Sequence, residues 1–471
     1  MADIRFENVS YRYEGMSEDC LCNISLTIRS GEFIVLAGKS GCGKTTMTRL
    51  INGLVPHFYQ GALEGKITLG DCDLADLQSF EISRQVGSVF QDPRSQFFTT
   101  NSTDELAFGC ENLSTPSERI QENVKNAFNK LQMAKLKNRS LFNLSSGEKQ
   151  KIALASSYAM QPEIYVLDEP SANLDKISTL ALKDLLRRLK EQGKTVIISE
   201  HRLSFLMSLA DRTLYIEGGR IRYDWTPQDI RQLGEAEMFA LGLRSLDMAY
   251  LPAKLAKKSF PSANGEPKIL EVKRLTVTLG GVKVLKDISF SVGKGEIIGI
   301  TGKNGAGKTT LARTLSGICR ESDGEIWING KKTRRKARIG YFSFVMQDAD
   351  YQLFTESVED EIRFGNAKLP DLDHKMEDAL VSLDLNEDRE RHPLSLSGGQ
   401  KQRVTIAASA VSAAPLIIFD EPTSGLDGEH MRKVGAMLHG LAEKGKTILI
   451  ISHDAEFLLD ACNRVFNIEQ L

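Results

Sequence analysis

The chain has 471 residues, of which 41% are apolar and 26% are charged, and its formal net charge is −2. These values are typical of a globular protein of two or three domains, and they argue against a nucleic-acid binder held by bulk charge. No apolar run reaches the ~18–20 residues of a spanning helix, no signal peptide opens the chain, and the seven cysteines lack zinc spacing. We expect a reduced cytoplasmic protein that meets a membrane only through a partner.

A glycine-rich segment near the N-terminus follows three predicted strands. Apolar alternation predicts strands over residues 4–9 and 21–28, and an apolar run predicts a buried strand over residues 33–37. The next residues fit the pattern G-x-x-x-x-G-K-[ST] and precede a helix pattern: Gly38, Lys39, Ser40, Gly41, Cys42, Gly43, Lys44, Thr45 and Thr46. This strand–loop–helix context predicts a phosphate-binding loop, in which backbone N–H groups and the helix start face a polyphosphate. Lys44 would reach the β- and γ-phosphates, and Thr45 would hold Mg²⁺.

The same pattern occurs a second time after an apolar run over residues 297–301. The second loop comprises Gly302, Lys303, Asn304, Gly305, Ala306, Gly307, Lys308, Thr309 and Thr310. Other residues recur in register with the loops, namely Gln91 as Gln347, Ser145 as Ser397, Asp168 as Asp420, and His201 as His453. The sequence is therefore an internal duplication. We predict a first domain over residues 1–225, a Pro- and Lys-bearing connection over 226–267, and a second domain over 268–471.

Further strand and helix patterns in the first half indicate the fold class. Strands are predicted over residues 65–70, 86–90, 164–168 and 195–199, and residues 104–143 are predicted to be largely helical. Strands that alternate with helices, with the phosphate loop after a strand, predict an α/β core with a mainly parallel sheet. The helical stretch would form a second lobe on each core.

Two acids close an apolar strand in each half, as Asp168-Glu169 and Asp420-Glu421. The first acid suits a Mg²⁺ shell, and the second is placed to orient and deprotonate a water aimed at the γ-phosphate. A carboxamide at Gln91 and Gln347 could also ligate Mg²⁺. His201 and His453 end strands in register with these acids, which favours contact with the γ-phosphate over a structural role.

Taken together, these motifs resemble the nucleotide-binding cassettes of ABC ATPases across both halves of the chain. The resemblance implies two tandem P-loop NTPase domains, each with a mainly parallel sheet core, an antiparallel β part and a helical lobe. The family's signature motif corresponds to Ser397, Gly398, Gly399 and Gln400, and in the first half to Ser145 and Gly147, while its D-loop corresponds to residues 424–427 and 172–175. In this family two cassettes pair head to tail, each ATP lying between the phosphate loop of one and the signature of the other, so the two halves would pair with each other.

A narrower resemblance rests on residues 89–98 with 104–109, their echo at 347–354 with 359–365, and residues 199–203. These segments resemble the ATPases of energy-coupling factor (cobalt/vitamin-type) importers. This resemblance implies an ATP-hydrolysing motor at the cytoplasmic face of the membrane, with a transmembrane coupling subunit and a substrate-binding membrane subunit as partners. Two alternatives stay open: a twin-cassette ABC protein acting on ribosomes or DNA, and the tandem ATPase of a sugar importer.

The halves depart from the family pattern at two places. Tyr13 lies where the family has an adenine-stacking aromatic residue, whereas the corresponding residue of the second half is Leu279. The first-half signature has Ser146 in place of a glycine and Glu148 in place of glutamine. Glu148 would bring negative charge to a phosphate, although as part of a capping box it would turn back to the Ser145 N–H. We therefore predict that the second ATP site is slower than the first.

Two charged stretches admit two interpretations each. Acids at positions 104–105 and 359–361 either receive an amphipathic helix of a membrane subunit that carries arginine, or simply favour a helix start. We take the first interpretation, with Glu105 and Glu361 as the docking carboxylates. The basic run over residues 331–338 is read as a solvated hairpin edge rather than a contact for nucleic acid or lipid.

Overall fold

The computed structural model describes residues 2–172, 174–246, 254–255, 258, 268–367 and 369–471. The chain divides into two compact units, Met1–Leu246 and Asp247–Leu471, and each is described by itself.

The first unit contains two sheets and a helical lobe. Its strands are β1 (Ile4–Tyr13), β2 (Leu21–Ile28), β3 (Phe33–Ala37), β4 (Gly61–Leu69), β5 (Cys72–Asp73), β6 (Val86–Val89), β7 (Ile164–Asp168), β8 (Thr195–Ser199), β9 (Arg212–Glu217) and β10 (Arg220–Trp225). Its helices are α1 (Lys44–Ile51), α2 (Leu54–His57), α3 (Ser79–Gln85), α4 (Ser102–Asn112), α5 (Ser117–Lys130), α6 (Ser146–Ala159), α7 (Lys176–Glu191), α8 (Pro227–Gln232) and α9 (Glu235–Ala240).

The core of the first unit is a six-stranded sheet in the order β10-β9-β3-β8-β7-β6. All neighbouring pairs run parallel except β9 and β10. The central strands are buried on both faces because helices and a second sheet cover them, which is why they read as continuous apolar runs. The second sheet is antiparallel, in the order β2-β1-β4-β5.

The helical lobe of the first unit differs in detail from the prediction. The stretch predicted as largely helical over residues 104–143 forms α4 and α5, but beyond Lys130 it contains only short 3₁₀ turns at Ala134–Leu136 and Leu141–Asn143. The apolar residues after α5 point inward singly from these turns, so their spacing looks helical in the sequence without continuing a helix. Leu131, Leu136 and Leu141 are buried in the same core as α4, α5 and α6.

The end of the first unit also lies later in the chain than the sequence suggests. Residues 226–246 are assigned by the sequence to the connection, yet they belong to the first compact unit. Ile230, Met238 and Leu243 from this stretch are buried in its core. Most of the remaining predicted connection, residues 247–267, lies outside the described residues.

The second unit repeats this plan. Its strands are β11 (Lys268–Leu279), β12 (Val282–Gly293), β13 (Ile297–Thr301), β14 (Asp323–Ile328), β15 (Lys331–Lys332), β16 (Phe342–Val345), β17 (Leu416–Asp420), β18 (Thr447–Ile451) and β19 (Arg464–Asn467). Its helices are α10 (Lys308–Leu315), α11 (Arg335–Arg338), α12 (Val358–Arg363), α13 (Leu372–Ser382), α14 (Gly398–Val411), α15 (Gly428–Glu443) and α16 (Ala455–Ala461). A parallel sheet in the order β16-β17-β18-β13-β19 lies beside an antiparallel sheet in the order β12-β11-β14-β15.

These layers confirm the predicted fold class of two α/β units, each with a mainly parallel core, an antiparallel β part and a helical lobe. In both units the strands that precede the glycine-rich loop and the paired acids are neighbours or next neighbours in the parallel sheet. Their carboxyl ends therefore meet at one edge, as in other parallel α/β sheets. Within the part of the chain that the structure describes, no helix is long and apolar enough to cross a membrane.

The basic run of the second unit is only partly the solvated edge that the sequence suggests. Lys331 and Lys332 are exposed in the edge strand β15, as expected. Arg338 is instead fully buried, and its guanidinium pairs with Glu321 at 2.6 Å. Arg335 donates from Nε to the carbonyl oxygen of Gly317 at 2.9 Å. The end of this run therefore holds the segment after α10 in place, and the solvated-edge interpretation is wrong for it.

Candidate functional site

The glycine-rich loop of the first unit joins β3 to α1 through backbone conformations that favour glycine. Gly38 has φ 146° and Gly43 has φ 109°. A Cβ atom at Gly38 would lie 2.3 Å from the carbonyl oxygen of Ile216, so no side chain fits there. Gly302 and Gly307 adopt the same left-handed values, 148° and 93°, in the second unit. Both loops have the close-fitting backbone that a phosphate cradle requires.

The lysine of each loop is buried and folded back over its own backbone. Lys44 is 4% exposed, and its Nζ donates to the carbonyl oxygens of Gly38 at 3.0 Å and Lys39 at 2.9 Å. Lys308 makes the corresponding two bonds at 2.8 and 3.0 Å. Both lysines thus hold their ammonium groups at the loop through the same two carbonyl oxygens.

The first acid of each pair lies against the threonine of its loop. Thr45 Oγ1 donates to Asp168 Oδ1 at 3.2 Å, and Thr309 Oγ1 donates to Asp420 Oδ2 at 2.8 Å. Burial raises the pKa of Asp168, and the neighbouring charge of Glu169 raises it further. Burial also raises the pKa of Asp420. A hydroxyl and a carboxylate that converge in this way are the hard oxygen donors that a small divalent cation prefers.

The second acid of the first unit, Glu169, has a side-chain partner at each of its two carboxylate oxygens. Gln91 Nε2 donates to its Oε2 at 3.0 Å, and His201 Nε2 lies 3.0 Å from its Oε1. Glu169 has φ 42°, a left-handed conformation that is strained for a residue with a Cβ. The strain and the two partners fix the carboxylate at the sheet edge beside Asp168. The sequence-predicted residues Lys44, Thr45, Gln91, Asp168, Glu169 and His201 are therefore brought together in this unit.

The second unit holds its glutamate differently. Glu421 has φ 52°, and its Oε2 accepts from Ser452 Oγ at 3.0 Å and from the His453 backbone N–H at 3.3 Å. The His453 ring lies closer to the loop, with Nε2 2.9 Å from Lys308 Nζ and 3.7 Å from Glu421 Oε1. Among the described residues, Gln347 makes no hydrogen bond to Glu421. The two sites thus share their residue types and their lysine and threonine contacts, but they differ in the contacts of the second acid and the histidine.

The environment of Glu421 allows a prediction for stability. Burial, together with the charge of Asp420, raises the pKa of Glu421 from 4.5 to about 7. Between these values the folded chain binds more protons than the unfolded chain, so this group destabilises the fold increasingly as the pH rises through that window. We expect Glu421→Gln to raise the melting temperature of the nucleotide-free protein by several degrees at pH 8 and to leave it nearly unchanged at pH 4.5. Differential scanning calorimetry at both pH values checks this, and an equal shift at both would contradict it.

The predicted signature segments begin helices rather than touching the phosphate loop of their own unit. Ser145 and Glu148 form a capping box at the start of α6, as predicted, and Glu148 Oε2 accepts from the Ser145 backbone N–H at 2.9 Å and its Oγ at 2.8 Å. Ser397 and Gln400 form the same box at the start of α14. Gln400 also donates from Nε2 to Asp388 at 2.7 Å. Glu148 cannot make a corresponding bond, because its carboxylate has no hydrogen to donate.

Several residues that shape the sites escaped the sequence analysis. The Ser199 hydroxyl donates to Asp168, and the Ser452 hydroxyl donates to Glu421. Both serines reach the acids because Ser199 ends β8 and Ser452 directly follows β18, the strands next to those that end at the acids. Glu200 is 3% exposed and accepts from the Ser171 backbone N–H at 2.8 Å, which fixes the turn after Glu169. Ser199 could have been identified from the register of β7 against β8, which places it opposite Asp168. That register cannot be read from the sequence.

The motifs of both units belong to one known family. The ABC transporter family model matches residues 21–172 and 285–424, which include both phosphate loops, both pairs of acids and both signature segments. The chain belongs to the ABC transporter family. It is a twin-cassette ABC ATPase, and it binds and hydrolyses ATP. The assignment of single residues to steps of that reaction stays a prediction.

Similar proteins extend over nearly the whole of this ABC ATPase. A putative ABC transporter ATP-binding protein from Treponema denticola is 46% identical, and the match covers 98% of this chain and 94% of that protein. The putative HMP/thiamine import ATP-binding protein YkoD from Bacillus subtilis is 31% identical over 96% of this chain and 87% of its own length. Ribosome-bound archaeal ABCE1, solved with Pelota, shares the fold with a TM-score of 0.69 at 22% identity, covering 97% of this chain and 76% of that one.

Proposed function

We propose that this ABC ATPase is the ATP-hydrolysing motor of an energy-coupling factor type importer, with both cassettes on one chain. It would act at the cytoplasmic face of a membrane, bound to a transmembrane coupling subunit that works with a substrate-binding membrane subunit. The similarity to YkoD, named as a putative HMP/thiamine import ATP-binding protein, supports the proposal because it extends over 96% of this chain. The family's head-to-tail pairing is proposed for the two halves as well.

One observation carries the proposal: each unit exposes the same pair of large apolar side chains. In the first unit Phe98 is 74% exposed and Phe142 is 77% exposed. The segments that carry them are joined by a bridge between Asn101 and Ser140 and so run side by side, and Phe98 stacks on Phe108 at 4.8 Å. We call this surface, Phe98 with Phe142, the first apolar patch. Exposed aromatic side chains that lie together on a surface mark contact sites for a partner.

The second unit repeats the patch with Phe354, 71% exposed, and Leu394, 53% exposed. Here the two segments are joined by backbone hydrogen bonds from Val358 to Arg391 and from Glu359 to Arg389, each 3.1 Å long. We call Phe354 with Leu394 the second apolar patch. A duplicated patch fits one motor that docks two similar segments of a membrane partner.

The exposed acids beside the patches differ from those that the sequence predicts as the docking carboxylates. Glu105 and Glu361 are only 2% and 5% exposed, so the prediction that they are the docking carboxylates is wrong. Each turns inward because it accepts hydrogen bonds from the backbone that carries the exposed phenylalanine. Asp104 and Asp360 remain exposed beside the patches. An amphipathic helix of a membrane subunit, apolar on one face and basic at its edge, complements this surface.

The same proposal assigns roles within each site. Thr45 with Asp168, and Thr309 with Asp420, would hold Mg²⁺, and their hydroxyl and carboxylate oxygens already converge; Gln91 and Gln347 are proposed as further ligands. The ion would neutralise charge on the β- and γ-phosphate oxygens. Glu169 and Glu421 would orient a water and take its proton, while His201 and His453 would contact the γ-phosphate.

Co-purification tests the importer proposal. The tagged full-length chain is extracted from native membranes in mild detergent, and the proteins that accompany it are identified by mass spectrometry. We expect two polytopic membrane proteins with the wild type, and their loss with Phe98→Ser combined with Phe354→Ser, while ATP binding is unchanged. This loss follows because serine removes the exposed apolar side chains; within the first unit the change also removes the stacking of Phe98 on Phe108 at 4.8 Å.

A control of the same kind removes exposed apolar side chains elsewhere. Phe80 and Ile339 are 54% and 62% exposed, one in each unit, and Phe80→Ser with Ile339→Ser should retain both membrane proteins. Recovery of ribosomal proteins instead would support the ribosome-acting alternative and end the importer proposal. Full retention of the membrane proteins by the Phe98 and Phe354 double variant would show that the apolar patches do not dock them.

A further inference from the structure

The first unit contains an aromatic and cationic cluster beside its phosphate loop that the motifs do not account for. Tyr13 Oη lies 3.2 Å from Thr46 Oγ1, directly beside the loop. Arg49, one turn further along α1, donates from Nη1 to the same Tyr13 Oη at 3.1 Å. The hydroxyl end of Tyr13 therefore lies against the start of α1, next to the loop that receives phosphates. A ring at that place offers a stacking face to the base of a bound nucleotide.

Tyr59 is the third member of the cluster. The Arg49 guanidinium lies 4.1 Å above the centre of the Tyr59 ring, within the range of a cation–π contact. The Tyr59 ring meets the Tyr13 ring edge to face at 6.3 Å. Tyr59 is itself anchored, because the buried Tyr11 donates its hydroxyl to the Tyr59 carbonyl oxygen at 2.9 Å. Tyr59 thus holds Arg49 on the side of α1 that faces Tyr13.

A cleft of about 520 Å³ opens beside Tyr13 and is lined also by Met16, Pro56 and Gln60. A base and its ribose fit in a space of this size. The cleft lies between the turn that follows Tyr13 and the segment that carries Tyr59, so both sides of it are built from the region of the cluster.

The second unit has the arginine of this cluster without its aromatic neighbours. Leu279 occupies the position of Tyr13 and is 45% exposed, and the shorter segment between α10 and β14 has no counterpart of Tyr59. Arg313 corresponds to Arg49. The second site therefore keeps the cation at this place and lacks the aromatic residues of the cluster.

We propose that Tyr59 is a positioning residue for the nucleotide base in the first site: it holds Arg49, and Arg49 fixes Tyr13 as the stacking face. The first site then binds a purine nucleoside triphosphate through base and phosphates, whereas the second site binds it mainly through the phosphates. The inference rests on ATP binding by the family and does not depend on the importer proposal.

The test compares ATP with inorganic tripolyphosphate, which has no base, by isothermal titration of the full-length chain. Lys308→Ala isolates the first site and Lys44→Ala isolates the second. In the first site we expect Tyr59→Leu to weaken ATP about five- to tenfold, in the range of a partly lost stacking contact, and to leave tripolyphosphate unchanged. Tyr59→Phe keeps the ring over Arg49 and should bind ATP like the parent.

A second variant, Arg49→Met, removes the cation and should give the same selective loss of ATP affinity if Tyr59→Leu does not fold. The second site should show a smaller preference for ATP over tripolyphosphate than the first. Unchanged ATP affinity in both variants would overturn the proposal. So would an equal loss for both ligands, which indicates a damaged loop, or a loss in Tyr59→Phe as large as in Tyr59→Leu.

Discussion

Glu169→Gln is expected to leave about a tenth of the ATPase activity, while Glu421→Gln leaves most of it. Each change removes the carboxylate proposed as general base, a contribution of about 10²–10⁴-fold at the site concerned. The total losses differ because the site that contains Glu169 is expected to turn over faster. ATP hydrolysis by the two variants in the assembled complex measures this. Equal losses would show that the sites are equivalent or strictly coupled.

The expected inequality has its origin in the signature segments. Under the head-to-tail pairing that the family implies, the site of Glu421 receives Ser145 and Glu148, whereas the site of Glu169 receives Ser397 and Gln400. A carboxylate ~8 Å from phosphate, at an effective dielectric of ~20, costs about 2 kcal/mol. The capping box turns Glu148 back, which reduces this cost. The same bond engages the Ser145 hydroxyl with a charged acceptor, which holds it more firmly than the neutral acceptor holds Ser397.

Exchange of the two signature residues tests this cause, and Glu148→Gln is the cleaner change because Gln400→Glu also removes the bond from Gln400 to Asp388. Glu148→Gln in the Glu169→Gln background should raise the remaining activity several-fold, because the second site loses its negative charge. Gln400→Glu in the wild type should lower the total activity, because the first site gains that charge. If neither change alters turnover, the signature residue at this position does not set the rate, and the difference between the sites needs another explanation.

Glu105→Ala is expected to destabilise the first unit by about 2 kcal/mol, which corresponds to roughly 5 °C in melting temperature for a unit of this size. Glu105 Oε2 accepts from the backbone N–H groups of Phe98 and Thr99 and from the Thr99 hydroxyl, at distances of 2.9–3.1 Å. Removal of the carboxylate leaves three donors without their acceptor in a part-buried turn. Thermal unfolding followed by circular dichroism measures the effect.

Glu105→Gln is the matched control, because its amide oxygen can still accept from the same donors. It should lose less than half as much stability as Glu105→Ala. Glu361 makes the same three contacts with Phe354 and Thr355, so Glu361→Ala should destabilise the second unit comparably. Normal stability of both alanine variants would show that these hydrogen bonds do not hold the turns at Phe98 and Phe354.

Much of the fold and the phosphate end of each site could be predicted from the sequence, because both depend on short-range patterns. A buried parallel strand reads as an apolar run, and the loop from Gly38 to Thr46 lies within nine consecutive residues. The acids at Asp168 and Asp420 follow such strands directly. Their convergence with the loop threonines then follows from the parallel sheet, whose carboxyl ends meet at one edge.

The remainder depends on contacts between distant segments, which one sequence does not display. The inward turn of Glu105 depends on the path of the backbone at Phe98, and an acid at a helix start looks the same whether it is exposed or buried. The separate partners of His201 and His453 could not be predicted, since the two halves have the same residue types there. The helical spacing beyond Lys130 was misleading for a similar reason: buried side chains from successive turns can imitate a helix.

The left-handed backbone at Glu169 and Glu421 places the stability of the chain in conflict with its ATPase activity. Glycine at either position would relieve a conformational cost on the order of 1 kcal/mol, and glutamine at Glu421 would relieve the cost of a buried charge. Both exchanges are proposed to remove the group that activates water. A directed-evolution screen that selected for thermal stability alone would therefore enrich substitutions of these two glutamates. The enriched variants would be stable but would lack ATPase activity. Any thermostabilised version of this motor should be built with both glutamates held fixed.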